Sequence, residues 1–92
     1  MEPIIDSRIY KVGKSEIVLI FGDITTSKAE ALVSSDDYRL SMGGGVSGAI
    51  RRVGGRRIVT DKSKMAPAQV GDVVVSTAGD LSAKYIFHAI TI

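Results

Sequence analysis

The stretch MGGGVSGAIRRVGG, residues 42–55, decides the predicted fold of this chain. After the glycines, apolar residues recur at the spacing of one helix face, and they are Val46, Ala49, Ile50 and Val53. Gly54 and Gly55 supply the left-handed stop at which many helices end. The sequence therefore predicts a helix that begins directly after three successive glycines.

Segments with strand or helix patterns lie on both sides of this stretch. The predicted strands are residues 9–12, 16–21, 31–33, 73–76 and 85–92. The other predicted helices are residues 25–31, capped by Thr25 or Thr26, and residues 56–65, anchored by Ile58 and Val59 and ended by Pro67. Because strands alternate with helices, the pattern predicts the α/β class and a single domain over residues 1–92.

The first two predicted strands flank a turn at Gly13 and Lys14, and this arrangement predicts a hairpin. The second strand is continuously apolar from Ile17 to Phe21. A continuous run of β-branched and aromatic residues is typical of a strand that is buried on both faces. We therefore expect this strand in the interior of a sheet.

The composition indicates a compact, water-soluble protein, since 45% of the residues are apolar and 24% are charged. The sequence has no cysteine, which excludes disulfides and thiolate ligands. Residues 1–10 carry Glu2 and Asp6 and lack the pattern of a secretory signal. No apolar run approaches the ~20 residues that span a bilayer. We expect a cytoplasmic protein without membrane association.

The net charge of +2 is small, and the clustered cationic residues are Arg51, Arg52, Arg56 and Arg57. Proteins that bind single-stranded nucleic acid combine such charges with aromatic side chains on which bases stack. No aromatic residue lies nearby in the sequence. We therefore expect a solvated helix face at this cluster and no nucleic-acid partner.

Gly43, Gly44 and Gly45 precede the predicted helix. Residues without a Cβ let backbone N–H groups converge on an anion, and the helix dipole adds positive potential. The segment is therefore suited to a phosphate or a diphosphate. The alternative interpretation is a flexible loop that merely enters the helix. The sequence lacks the lysine and hydroxyl of a P-loop after these glycines.

Polar side chains follow two of the predicted strands. Asp23 comes directly after residues 16–21, at the strand end where α/β sheets gather ligands. Its carboxylate can accept a hydrogen bond from an amino group, and the alternative is a capping role for the residues that follow. The next strand is followed by Ser34, Ser35, Asp36 and Asp37. These residues are suited either to a sugar or to a solvated turn.

His88 is the only histidine of the sequence, and it lies in the apolar strand predicted at residues 85–92. No second histidine and no cysteine is present to complete a metal site with it. We expect a buried sheet histidine here in preference to a catalytic base. We also expect neither a metal nor a cofactor.

In order and spacing, these segments resemble the macro domain family, whose members bind ADP-ribose. The segments that carry the resemblance are residues 22–25, 31–37, 40–50, 71–75 and 83–88. The resemblance extends over nearly the whole chain from residue 17 to residue 92. It implies a macro-domain-like mixed sheet flanked by helices.

The resemblance also implies roles for individual residues. Asp23 would accept a hydrogen bond from the adenine amino group, and Ile24 would pack on the base. The residues implied to surround the diphosphate and the sugars are Ser35, Asp37, Gly43, Gly44, Gly45 and Val46. The implied partner is ADP-ribose or an ADP-ribosylated protein.

Two positions depart from the family pattern. Asp37 occupies the place of an asparagine that meets the distal ribose, and an ionised Asp accepts hydrogen bonds but cannot donate them. Ser47 occupies the place of an aspartate that is common in the branch that removes ADP-ribose from proteins. We expect a binding module. The alternatives are an ADP-ribosyl hydrolase in which Asp37 is catalytic, and a structural unit that binds no ligand.

Family members continue beyond the strand that matches residues 85–92, with further strands, helices and a second glycine loop. We therefore expect residues 1–92 to form a partial macro domain that leaves sheet edges and apolar faces open. Open edges are templates for pairing with another chain. The expected state is a homo-oligomer or an assembly with a complementing chain.

Overall fold

The computed structural model describes residues 6–63 and 65–92. Its elements in chain order are β1 (Asp6–Val12), β2 (Ser15–Phe21), a 3₁₀ turn (Ile24–Thr26), β3 (Ala31–Asp36), α1 (Gly45–Gly54), α2 (Arg56–Ser63), β4 (Val73–Thr77) and β5 (Tyr85–Ile90). This order confirms the α/β class. The parts of the predictions that fall on residues 1–5 and on residue 64 lie outside the described residues.

Strands β3, β5 and β4 form a mixed sheet in that order, with β5 at its centre. Strand β5 runs parallel to β3 and antiparallel to β4. Helix α1 packs over β3, and α2 packs over β4. Met42, Ile50, Ile58 and Ile86 are fully buried between these helices and the sheet. The helices therefore cover one face of the sheet and form the core there.

The opposite face of this sheet is apolar and exposed. Its side chains alternate with the buried ones along each strand, as the period of two requires. They are Val33, Val73, Val75, Tyr85 and Phe87. We call this set the outer face. None of the described helices or strands packs on it.

Strands β1 and β2 form the predicted hairpin, an antiparallel ribbon with Gly13 at φ +61° in the turn. The expectation that β2 is buried on both faces is wrong, because every residue of Ser15–Phe21 is exposed. The physical reason is the absence of a covering layer: among the described elements, the ribbon contacts no helix and no strand of the other sheet. An apolar run therefore marks a strand that can be buried, and what buries it depends on its neighbours.

The helix predicted at residues 25–31 is a single 3₁₀ turn instead. Its cap is Asp23, whose side chain accepts the Thr25 N–H, so the predicted capping role of Thr25 or Thr26 is also wrong. Ser27 adopts an extended conformation with φ −63° and ψ 141°, which ends the turn. Short polar side chains bond to nearby backbone and compete with helix continuation here.

Helix α1 is present where it was predicted, but the face that it buries differs from the predicted one. Val46 and Val53 are each 51% exposed, whereas the predicted inward face contained both. The buried residues of α1 are Ser47, Gly48, Ile50 and Gly54. A Cβ at Gly54 would come within 3.2 Å of the Ala78 carbonyl oxygen, so a glycine is buried at this end of the helix because the two backbones approach closely.

The end of α1 and the start of the next helix agree with the prediction. Gly55 has φ +91°, and its N–H bonds to the Arg51 carbonyl. In α2, Ile58 is fully buried and Val59 is half-buried. Neither helix in the described part of the chain has the length and apolar character that crossing a lipid bilayer requires.

Candidate functional site

The candidate site lies where three segments meet at the carboxyl end of β3. Residues 37–44 connect β3 to α1, and the 3₁₀ turn that follows β2 packs beside α1. Ile24 of that turn is half-buried against the core cluster that contains Met42 and Ile50. The fold thus brings the segment of Asp23 and the glycines to the same helix.

The three glycines differ in conformation. Gly44 is extended, with φ −166° and ψ 177°, and it is the N-cap of α1 with no side-chain capping bond. Gly45 is left-handed, with φ +59°. A Cβ at either position would meet no atom of the described residues within 4 Å, and a Cβ at Gly43 would meet only the Ser41 Oγ, at 3.5 Å. The backbone at the start of α1 therefore lies open to a ligand.

The last residue before α1, Gly44, is bonded to the first turn of the helix. The Gly44 carbonyl accepts the Gly48 N–H at 3.0 Å and the Ser47 hydroxyl at 3.0 Å. Ser47, the residue in the place of the hydrolase aspartate, is buried. These two bonds fix the Gly44 carbonyl at the first turn of α1. Val46 follows the glycines with its side chain 51% exposed.

Asp37 organises the connection between β3 and the glycines. Its Oδ1 accepts the N–H groups of Arg39 at 2.9 Å and of Ser41 at 3.2 Å, and its Oδ2 accepts the Ser41 hydroxyl. The side chain is half-buried. Leu40 and Met42 in this connection have left-handed backbones, with φ +57° and +51°. The Asp37 carboxylate thus acts as the cap of a tight, strained turn.

Ser35 points to the other side of the sheet. Its hydroxyl bonds to the Thr91 hydroxyl at 2.7 Å, and its neighbours in β3, Ser34 and Asp36, face the helices. Successive side chains of a strand point to opposite faces. The expectation that Ser35 contacts the ligand therefore receives no support from its orientation, since α1 packs on the opposite face.

Asp23 is exposed and is held by its own turn. Its Oδ1 accepts the Thr25 N–H at 2.9 Å and the Thr25 hydroxyl at 2.7 Å. These two bonds, the hydroxyl first, lower the pKa of the Asp23 carboxyl below its ordinary value of 3.8. None of residues 6–63 and 65–92 donates to Oδ2. The capping and ligand-binding interpretations of Asp23 are therefore compatible, because they use different oxygens.

A buried polar cluster beneath this site was missed by the sequence reasoning. Asp36 is only 5% exposed, and its Oδ1 accepts the N–H groups of Asp37 at 2.8 Å and of Met42 at 3.0 Å. His88 is fully buried in β5, as expected of a sheet histidine, and its Nε2 lies 2.7 Å from the Ser76 Oγ. Asp36 lies on the same face of β3 as the buried Leu32 and Ser34, but Ala31–Asp36 shows no alternation of apolar and polar residues that would have signalled its burial.

The four clustered arginines are all exposed. Arg57 pairs with Asp80 at 3.1 Å in a solvent-exposed ion pair, and such pairs contribute little stability. Arg56, Arg57 and Thr77 contribute to the lining of a shallow surface depression beside α2. Within the described ranges, no group of three or more His, Asp or Glu side chains is arranged to hold a metal ion.

A family model described as Macro domain matches residues 33–92. The curated relatives include an uncharacterised protein of Pyrobaculum aerophilum, 46% identical over 85 residues, with 88% of this chain and 47% of the relative covered. An O-acetyl-ADP-ribose deacetylase 1 of Pantoea vagans is 40% identical over 79 residues, with 82% and 46% covered. The chain spans about half the length of the curated relatives it matches.

Solved structures with the same fold include a point mutant of the Oceanobacillus iheyensis macrodomain. It matches with a TM-score of 0.88 and 22% identity, and the match covers 94% of this chain and 50% of that one. A Trypanosoma brucei macrodomain in complex with ADP-ribose matches with a TM-score of 0.71 and 28% identity. That match covers 76% of this chain and 30% of the other.

Proposed function

Because this chain belongs to the macro domain family, we propose that it binds ADP-ribose or a related adenine nucleotide at the start of α1. The observation that carries the proposal is the backbone of Gly44 and Gly45. It caps the helix without a side chain and leaves open space where side chains would stand. The first N–H groups of a helix have no partner within the helix and, with the dipole, favour an anion. We therefore assign the diphosphate to Gly43, Gly44, Gly45 and Val46.

The adenine end of the ligand is assigned to the 3₁₀ turn. The Oδ2 of Asp23 is the acceptor proposed for the adenine amino group, and its ionised form is favoured by the lowered pKa of this carboxyl. Ile24 lies next to it and is only half-buried, so part of its side chain remains for contact with the base. The turn packs beside α1, which supports one ligand reaching both places.

The distal ribose is assigned to the Asp37 turn. Its carboxylate is a hydrogen-bond acceptor and ribose hydroxyls are donors, so the two are chemically complementary. A carboxylate beside a diphosphate lowers affinity through like-charge repulsion. Asp37 therefore serves mainly to shape the connection, and its charge limits the affinity.

Titration calorimetry and thermal denaturation with ADP-ribose test this proposal. We expect heat of binding and a rise in melting temperature, since a ligand of the folded state stabilises it. Gly44→Val is the matched variant: a valine is compatible with the extended backbone at this position, so the variant is expected to fold but to lose the diphosphate. If saturating ADP-ribose gives neither heat nor stabilisation of the unmodified chain, the third alternative, a structural unit without ligand competence, holds.

The second candidate function is hydrolysis of an ADP-ribosyl ester, and the observation that favours it is the Pantoea vagans relative named as a deacetylase. In this reaction, water would attack the acyl carbonyl, and Asp37 would take the proton as ADP-ribose and the acid are released. Incubation with O-acetyl-ADP-ribose tests it. Turnover by the unmodified chain that Asp37→Asn abolishes with binding retained would establish Asp37 as the base. Our expectation is tighter ADP-ribose binding by Asp37→Asn and no turnover by either protein.

A further inference from the structure

We propose that Asp36 is a positioning residue that anchors the glycine segment to the end of β3, with His88 held behind it. This inference rests on the proposed function, because it concerns how the ligand-binding backbone is kept in place. Asp36 does not touch the ligand in this scheme. It acts through the backbone of Met42, the residue that directly precedes Gly43.

The first observation is the pair of bonds at one carboxylate oxygen. Asp36 Oδ1 accepts the N–H of Asp37 at 2.8 Å and the N–H of Met42 at 3.0 Å. These two residues are the two ends of the tight turn that Asp37 caps from within. The same oxygen therefore closes the turn at its base and fixes where the glycine segment begins.

The second observation is the position of Met42. Its side chain is fully buried in the core with Ile50, while its backbone is left-handed at φ +51°. A methionine in this conformation is unfavourable unless its surroundings hold it there. The bond to Asp36 and the buried side chain together hold it. Without that bond, the backbone around Met42 can relax to conformations of lower energy. The glycines are then no longer held in a fixed position relative to α1.

The third observation is the support behind Asp36. The Ser76 hydroxyl donates to the Thr77 carbonyl at 3.0 Å, and the Ser76 Oγ and the His88 Nε2 form a hydrogen bond of 2.7 Å. This bond sets the orientation of the imidazole and places Nδ1 3.7 Å from Asp36 Oδ2. Both side chains are essentially inaccessible to solvent. The cluster thus links β4, β5 and β3 behind the connection that carries the glycines.

The test compares three variants in the full chain: Asp36→Asn, Asp36→Val and Ser76→Ala. Asparagine keeps one oxygen for both N–H groups, whereas valine suits a strand but removes both acceptors. Ser76→Ala removes another buried polar group of the cluster without touching the connection to the glycines, so it controls for a general loss of stability. The measurements are hydrogen exchange of the Met42 and Asp37 amides without ligand, and ADP-ribose affinity by calorimetry.

We expect Asp36→Val to speed exchange of the Met42 amide and to weaken ADP-ribose binding by about tenfold each, which is the loss of ~1.4 kcal/mol. Asp36→Asn should stay within about threefold of the unmodified chain in both, as a retained neutral hydrogen bond implies. Ser76→Ala should lower the melting temperature but keep the Met42 exchange and the affinity. If Asp36→Val does not fold, Asp36→Ala replaces it with the same expectations.

If Asp36→Val, or Asp36→Ala in its place, folds and leaves the exchange of the Met42 amide unchanged, the proposal is overturned. An equal loss of affinity in Ser76→Ala and Asp36→Val would overturn it as well, because general destabilisation would then be the cause. The exchange measurement needs no ligand. If the unmodified chain does not bind ADP-ribose, the proposed function fails, while the anchoring by Asp36 is still decided by exchange.

Discussion

At the scale of single residues, the candidate site consists mainly of side chains whose hydrogen bonds fix the conformation of the neighbouring backbone. Asp23 caps the 3₁₀ turn, Asp37 caps the turn before the glycines, and Asp36 joins its ends. The glycines serve different purposes, since Gly45 requires a left-handed backbone and Gly44 does not. Because the Gly44 backbone is extended, a valine there carries no penalty from φ, and its bulk near a ligand is the reason for the expected loss of binding.

Asp23→Ala is expected to weaken ADP-ribose while leaving ribose 5-phosphate unchanged, because the lost acceptor lies at the adenine end and a hydrogen bond to a charged group contributes about 1.5–3 kcal/mol. The matched control is Asp72→Ala, which removes another exposed aspartate that accepts a backbone N–H, that of Gln69 at 3.0 Å. The control should leave both ligands unaffected. Calorimetry with the two ligands measures this, and equal losses for both would refute the placement of adenine.

The lowered pKa of Asp23 predicts a pH dependence with a definite sign. The stabilising contribution of its ionised form is present above the ordinary value of 3.8 and is lost as pH falls through the lower value of the folded state. The difference in unfolding free energy between the unmodified chain and Asp23→Asn should therefore be constant at neutral pH and shrink below pH 3.8. Urea unfolding across this range measures it. A difference that grows on acidification would contradict the assignment.

At the scale of elements, α1 is placed by glycines at both ends. Its start faces the open site, and its end packs against the turn before β5. A Cβ at Gly79 in that turn would overlap the Gly54 carbonyl oxygen, which also accepts the Asp80 N–H at 2.9 Å. This close approach of two backbones holds α1 against the sheet. It is also why a glycine stands at position 54, where a Cβ would come within 3.2 Å of the Ala78 carbonyl oxygen.

Gly79→Ala should therefore be much more destabilising than Gly71→Ala. Both glycines have a positive φ, +59° and +99°, but a Cβ at Gly71 would meet no described atom within 4 Å. We expect a loss of about 1 kcal/mol for Gly71→Ala from the backbone conformation. Gly79→Ala should lose roughly 1–3 kcal/mol more because of the added steric overlap. Urea denaturation measures the free energy of unfolding of both variants. Equal losses would contradict the proposed steric overlap between residue 79 and the Gly54 carbonyl oxygen.

At the scale of the whole molecule, the described part of the chain has one well-covered face of the mixed sheet and two uncovered apolar surfaces. One is the outer face of the mixed sheet, and the other is the ribbon of β1 and β2. Apolar patches of this kind on a folded protein mark interaction sites. We therefore propose that the protein exists as a homo-oligomer or together with a complementing chain.

Light scattering should give a mass above the 9.8 kDa of one chain. Val75→Lys, which places a charge on the outer face, should lower that mass, because burial of an unpaired charge is costly. Val53→Lys is the control, since Val53 is similarly exposed, at 51% against 54%, but lies on α1. A monomer of the unmodified chain at high concentration, with no binding of an apolar dye, would contradict the proposal.

The sequence by itself determined the α/β order, the hairpin, the helix after the glycines and the strand that contains His88. These features follow from local patterns: side-chain period, glycine turns and helix stops lie within a few residues of one another. The family resemblance followed from the order and spacing of several such segments along residues 17–92.

Only the tertiary structure decided which surfaces are buried. Val46 and Val53 have the period of an inward face, yet Gly48 and Gly54 are buried instead, and at Gly54 the neighbouring backbone approaches closely. The ribbon strand β2 is apolar throughout but exposed, since no described element covers it. Asp36 is polar but buried, because the N–H groups of Asp37 and Met42 compensate for its desolvation. Burial depends on which distant segments pack together, and local spacing alone does not identify those segments.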